Sequence, residues 1–155
     1  MKYFVADENN LDDLVNIRIE YIRAELGNLS MEDEKQMMEK LPEYFRNHLN
    51  KDCIAFLAEC DEKVVGSAFL HIIEKPCRPQ YKLGRIGEVL NVVTLEEYRN
   101  LGIATELMKN LINYAKRMNM DYIELKATKA GKAIYENIGF YEIDKPYINM
   151  KYMLL

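Results

Sequence analysis

The chain has 155 residues, 49% apolar and 30% charged, which suits one globular domain with a sizeable core and argues against a disordered chain. Its 21 Lys and Arg against 25 Asp and Glu leave a formal charge of −4, and no segment concentrates the basic residues, so nucleic acid is not an expected partner. The longest apolar window, residues 64–73, contains Ser67 and His71 and is too short to span a bilayer, so no membrane is expected either.

Residues 1–30 carry Asp7, Glu8, Asp12, Asp13 and Glu20, unlike a secretory signal, and a cytoplasmic location is the default expectation. Cys53, Cys60 and Cys77 have no metal-ligand spacing and leave one thiol over in any disulfide scheme. On one strand, Cys53 and Cys60 would lie ~23 Å apart and face opposite sides, so they cannot bridge. All three are expected to be reduced and non-catalytic, and no metal is expected.

Residues 1–6 alternate weakly and predict a short strand. Asn9 or Asn10 can cap a helix from Leu11, where Leu11, Leu14, Ile17, Tyr21 and Ile22 make an apolar stripe that Gly27 ends. Ser30, with Asp33 three residues on, opens a second helix in which Met37 and Met38 read as core filler, or else line an adaptable substrate cleft. Pro42 should interrupt that helix before residues 44–49. Residues 53–59 and 64–73 flank the turn Asp61-Glu62-Lys63 and predict a hairpin, with Gly66 marking a bulge or a close approach. Residues 76–87, with Pro79, Gly84 and Gly87, read as an exposed loop.

The centre of the chain is a strand, a turn and a helix. Residues 88–94 hold Val89, Leu90, Val92 and Val93, a run expected of a buried strand. Residues 95–101 are polar, with Arg99 and Asn100. From Gly102 the period becomes helical, with Ile103, Leu107 and Leu111 on one stripe and Ala104, Met108, Ala115 and Met118 beside it. Backbone N–H groups at such a helix start lack partners and carry the positive end of the helix dipole, and Gly102 and Ala104 leave room for an anion. Residues 122–127 then predict a strand, and residues 129–137 a short helix closed by Gly139. Residues 140–143 and 147–154 predict two last strands joined at Pro146. The order describes a mixed sheet with helices on both faces.

Arg99-x-x-Gly102-x-Ala104 matches the signature (Gln or Arg)-x-x-Gly-x-(Gly or Ala), and on it the chain resembles the GNAT superfamily of N-acetyltransferases. Ile134-Tyr135-Glu136-Asn137-Ile138-Gly139-Phe140 is similar to that family's closing helix, and the element order extends the likeness over nearly the whole chain. One departure is Leu95-Glu96-Glu97, where the family often has a proline. The resemblance implies one α/β (α+β) domain over residues 1–155, built on a mixed, mostly antiparallel central sheet of six to seven strands. It also implies an acetyl-CoA-dependent acyltransferase acting on a primary amine of a small molecule, peptide or protein.

By the same resemblance, Val92, Val93, Thr94, Arg99, Asn100, Leu101, Gly102, Ile103, Ala104 and Thr105 would hold the cofactor, with its pyrophosphate on the amides after Leu101. A strand amide near Val92 or Val93 would stabilise the oxyanion. Tyr135 would protonate the leaving thiolate, or else pack as an aromatic under the cofactor. Glu88, eleven positions before Arg99, would take the amine's proton, or else end the strand in solvent. Asn91 should face away from Glu88 unless a bulge separates them. His48 and His71 read as structural, while Arg18 and Tyr21 fall in the region that shapes the family's acceptor cleft. The alternative function is a CoA- or acyl-CoA-binding sensor without turnover. A common nucleotide site is not expected, since neither Gly-x-x-x-x-Gly-Lys nor Gly-x-Gly-x-x-Gly occurs. Residues 140–155 could offer an edge for a homodimer.

Overall fold

In the computed structural model, which describes residues 1–144 and 146–155, one sheet is formed by β1 (Lys2–Val5), β2 (Cys53–Cys60), β3 (Lys63–Glu74), β4 (Arg85–Thr94) and β5 (Tyr122–Glu124), in that spatial order. Neighbours are antiparallel except β4 and β5, whose parallel pairing needs a crossover that α3 (Ile103–Arg117) supplies. Helices α1 (Leu11–Leu26) and α2 (Met31–His48) follow β1, and α4 (Lys132–Asn137) follows β5.

The sheet is covered on both faces, which is why β2 and β3 are almost continuously apolar. Ile54, Phe56, Leu70 and Val89 pack under Ile103, Leu107, Met108, Leu111 and Ala115 of α3. Their strand neighbours Ala55, Leu57 and Phe69 point the other way, onto Leu14, Val15, Ile17 and Ile19 of α1 and Phe45 of α2. Met37 packs against that second cluster, whereas Met38 is half exposed and is not core filler.

Helix ends follow local chemistry. Asn10 stands at the N-cap position of α1 but makes no side-chain cap bond. Asp7 instead caps the 3-10 turn Glu8–Asn10 that leads into α1, its carboxylate accepting from Asn9 N at 2.8 Å while Asn10 reaches back to Asp7 N. Gly27 closes α1 in the left-handed region, and Ser30 Oγ accepts from Asp33 N at 3.0 Å to open α2. Pro42 does not interrupt α2, which runs on to His48. Phe45, almost wholly buried and edge-on to Phe69 at 5.8 Å, draws the last turns onto the sheet. That packing offsets the lost N–H and the ring clash at Pro42.

Other boundaries move inward. The loop before β4 ends at Gly84, because the Asp121 carboxylate accepts from Leu83 N and Arg85 N and fixes the strand start; Gly87 lies within β4, opposite Ile72. Helix α4 starts at Lys132, since Thr128 Oγ1 accepts from Gly131 N and holds a turn ahead of it. The strand expected over residues 122–127 keeps only Tyr122–Glu124. The two closing strands are not present among the described residues, so the sheet has five strands rather than six or seven. Tyr147, Ile148, Met150 and Tyr152 are exposed; alternation selects a face, but a strand also needs a neighbour's backbone, and three-residue β5 offers little. Lys145, within the stretch expected to offer a dimer edge, lies outside the described residues.

Candidate active site

Near its C-terminal end β4 departs from regular pairing. Leu90 pairs with Phe69 and Val93 with Ser67, so the single residue Ala68 faces both Asn91 and Val92. This is a bulge, and it withdraws its extra residue from the ladder. Asn91 takes a left-handed φ of 54°, which asparagine tolerates better than its apolar neighbours would. The bulge also reverses the side-chain parity: Val89 and Val92, three apart, both pack on the α3 side. Glu88 is opposite His71, whose neighbours Leu70 and Ile72 face α3, so Glu88 looks towards α1. Asn91 looks the same way, and the two polar residues share one face.

Asn91 is locked there. Its Nδ2 donates to Ser67 Oγ at 3.0 Å, Ser67 Oγ donates to Asn91 O at 3.0 Å, and Arg18 Nη1 of α1 donates to Asn91 Oδ1 at 3.0 Å. Ser67 and Asn91 are the buried polar residues of the core, and each is hydrogen-bonded as burial requires. The Arg18 guanidinium also lies 5.4 Å from the ring centre of Tyr21. Sequence reasoning had Arg18 and Tyr21 only by region and missed Ser67. The available signal was Asn91 itself, a poor strand former inside the run 89–93.

Beyond the bulge the chain turns into α3. Asn100 and Gly102 both adopt left-handed conformations, with φ of 63° and 76°. Gly102 is the N-cap of α3 and provides no side-chain cap; the helix ladder begins with Glu106 N donating to Gly102 O. The amides of Ile103, Ala104 and Thr105 therefore have no acceptor within the helix. No atom lies within 4 Å of the position a Cβ on Gly102 would occupy, so the space before these amides is open. Arg99 Nε donates to Thr94 O at 3.3 Å and ties the turn to the end of β4, while Thr94 Oγ1 is buried without a partner. Exposed Leu101 completes the turn. Unpaired amides, an exposed Arg99 and an orphaned hydroxyl make a donor set that fits a phosphorylated ligand.

Gly66 seats this assembly. A Cβ there would lie 3.0 Å from Ile103 Cγ2 and 3.1 Å from the Val93 carbonyl, so the first turn of α3 approaches β3 closely because no side chain intervenes. The expected irregularity is present too, as a register shift opposite Ala58 and Glu59.

Tyr135 lies on α4, half buried against the α3-side cluster and edge-on to Phe140 at 6.0 Å. Burial pushes its hydroxyl pKa up, and Tyr21 of α1 adds to the rise. A phenol raised above its usual 10.0 stays protonated at neutral pH. Glu88 is half buried on β4, between His71 of β3 and Glu124 of β5. The structure thus places Asn91, Arg18 and Tyr21 together at the bulge, near the end of β4 that leads into the turn 99–105, with Glu88 three residues earlier on the same face and Tyr135 on α4 close enough to Tyr21 to respond to it. His48 is set apart, with its Nδ1 on Asp52 at 2.8 Å and its ring stacked on Tyr44. All three cysteines are free thiols. Among the described residues no group of three or more His, Cys, Asp or Glu is placed to hold a metal, and no helix is long and apolar enough to cross a membrane.

With a mixed five-stranded sheet, a bulged fourth strand and an uncapped helix after it, the chain belongs to the acetyltransferase (GNAT) family, whose family model matches residues 13–140. An uncharacterized N-acetyltransferase of Archaeoglobus fulgidus is 27% identical over 143 residues, covering 88% of this chain and 86% of that protein. A second uncharacterized N-acetyltransferase, from Dictyostelium discoideum, is 37% identical over 68 residues, which cover 42% of this chain and 32% of that protein. Among solved structures, a predicted acetyltransferase of Clostridium acetobutylicum crystallised with acetyl-CoA is 30% identical, with a TM-score of 0.83 over 97% of this chain and 95% of that one.

Proposed function

We propose that the protein transfers the acetyl group of acetyl-CoA to a primary amine by direct attack. The observation that carries the reading is the adjacency of two features: a bulged β4 end lined by polar side chains, and a helix start whose amides have no acceptor. The Clostridium relative's bound acetyl-CoA supports the choice of donor.

Val92, Val93, Thr94 and residues 99–105 would hold acetyl-CoA, which supplies an activated acyl group as a thioester. The amides of Ile103, Ala104 and Thr105 receive the pyrophosphate, and Arg99 adds a positive charge at the same turn. A strand amide at Val92 or Val93, released by the bulge, donates to the carbonyl oxygen as it gains charge. Glu88 accepts a proton from the acceptor's ammonium, so that nitrogen can attack. As the N–C bond forms and the C–S bond breaks, the Tyr135 hydroxyl gives its proton to the departing sulfur. The nitrogen, which still holds one proton more than the amide keeps, releases it through water to the Tyr135 phenolate, and Glu88 returns its own proton to solvent. Burial suits Tyr135 to that role, since it keeps the proton on oxygen until it is needed.

Thermal melting and thiol release test the reading. CoA and acetyl-CoA should each raise the Tm, by an amount that grows with concentration, while ATP and NAD at equal concentration should not. Acetyl-CoA with a panel of amines should then release free thiol. A CoA-dependent Tm shift without thiol release from any amine would make the protein a CoA-binding module instead, and no shift at all would remove the cofactor site.

A further inference from the structure

We propose that Arg18 is the anchor for a carboxylate on the acceptor, which makes the acceptor an amino acid or a closely related amino carboxylate. The inference rests on the acetyl-transfer reading and narrows its substrate.

Arg18 is half buried on the inner side of α1, and one of its five N–H donors is committed, to Asn91 Oδ1 at 3.0 Å. No carboxylate of the described residues forms an ion pair with it, although Arg23, one turn further along the same helix, holds both Glu20 and Glu34. A half-buried guanidinium without a counter-ion is costly, and a protein that carries one gains most when a ligand supplies the missing charge. The side chain is also held in place in advance. Asn91 fixes one edge, the Tyr21 ring lies 5.4 Å away, and Asn91 is itself pinned by Ser67 with two hydrogen bonds. Such preorganisation lowers the ordering cost of binding.

Place sets the substrate. Arg18 bonds the bulge residue, and Glu88 is three residues earlier on the same face, ~10 Å along the strand. An acceptor whose nitrogen lies at the bulge, with Glu88 reached through a water, therefore presents its next few atoms to Arg18. A carboxylate a few bonds from the nitrogen meets the free edge of the guanidinium, where a planar two-toothed contact is available. A long polyamine would place a second positive charge there and be repelled.

The test uses matched pairs, amino acids and their carboxamides, with kcat/KM from thiol release and affinity from calorimetric titration of the same protein. The wild-type protein should favour the carboxylate member by about ten- to a hundredfold, mainly through KM and with a parallel difference in affinity. In Arg18→Gln the preference should fall to about one, and Arg18→Lys should keep part of it. Equal use of both members by the wild-type protein overturns the inference while leaving acetyl transfer intact, and needs no variant to fold. A preference that survives Arg18→Gln places the carboxylate elsewhere and overturns it as well. Absence of transfer to every amine overturns the acetyl-transfer reading, and this inference with it.

Discussion

Tyr135 and Glu88 take opposite parts in the proposed reaction. Tyr135 is half buried, with burial and then Tyr21 raising its pKa, so it holds its proton above the usual 10.0. An acid with a raised pKa loses activity only when pH rises past that pKa, so its alkaline limb should lie above pH 10. Tyr135→Phe removes one oxygen and little packing; turnover should fall about ten- to a thousandfold with CoA affinity retained, and the alkaline limb should vanish. Full activity in that variant would leave Tyr135 a packing aromatic. Glu88→Gln keeps the shape but cannot take a proton. The rate near neutral pH should drop about a hundredfold, with the loss shrinking as pH approaches the amine's own pKa, where free amine is abundant. A near-normal rate and an unchanged pH profile would move proton removal to water.

At the scale of elements, what could be read in the sequence was what short stretches decide for themselves. The change of period at Gly102, the left-handed closure at Gly27 and the close approach at Gly66 all follow from local patterns, and each stands where expected. The uninterrupted passage of α2 through Pro42 was not legible, because it depends on Phe45 meeting Phe69, 24 residues away in the chain. Nor was the face reversal at Asn91, which needs Ser67 and Arg18 to hold it. Tyr135 and the turn 99–105 were visible because they belong to motifs, whereas the polar clamp around the bulge comes from three separate elements. Gly66 yields a prediction at this scale. Gly66→Ala inserts a methyl 3.0 Å from Ile103 Cγ2 and 3.1 Å from the Val93 carbonyl, so α3 must lift from β3. Denaturant unfolding should show a loss of about 1–3 kcal/mol. The same shift should weaken CoA binding, because the displaced turn carries the amides. Weaker stability with unchanged CoA affinity would separate the helix seat from the site.

Part of the molecule's sensitivity to alkali lies on the side of the sheet opposite α3. Cys53, 3% exposed, begins β2 under α2, within hydrogen-bonding reach of the Tyr44 hydroxyl. Burial, reinforced by the charge of Asp52, raises the thiol from its usual 9.0 to about 11, against the lowering pull of Tyr44 and Arg18. Burial likewise takes Tyr44 from 10.0 to about 12, with Cys53 and Asp52 adding to the rise. Both are acids whose folded pKa lies above the unfolded one. At high pH the unfolded chain therefore releases protons first, and stability drains away. For Cys53 the contribution is complete below pH 9.0 and is lost as pH climbs through about 11, a total on the order of 3 kcal/mol. Cys53→Ala removes that titration at the cost of a small cavity. Its unfolding free energy should start lower at pH 8 and then fall less steeply between pH 9 and 11, by up to about 1.4 kcal/mol per pH unit. Urea titrations of both proteins at unit pH steps would read this directly. Parallel curves would mean that the thiol titrates alike in the folded and unfolded states, and would leave the alkaline limit to the tyrosines, Tyr44 among them.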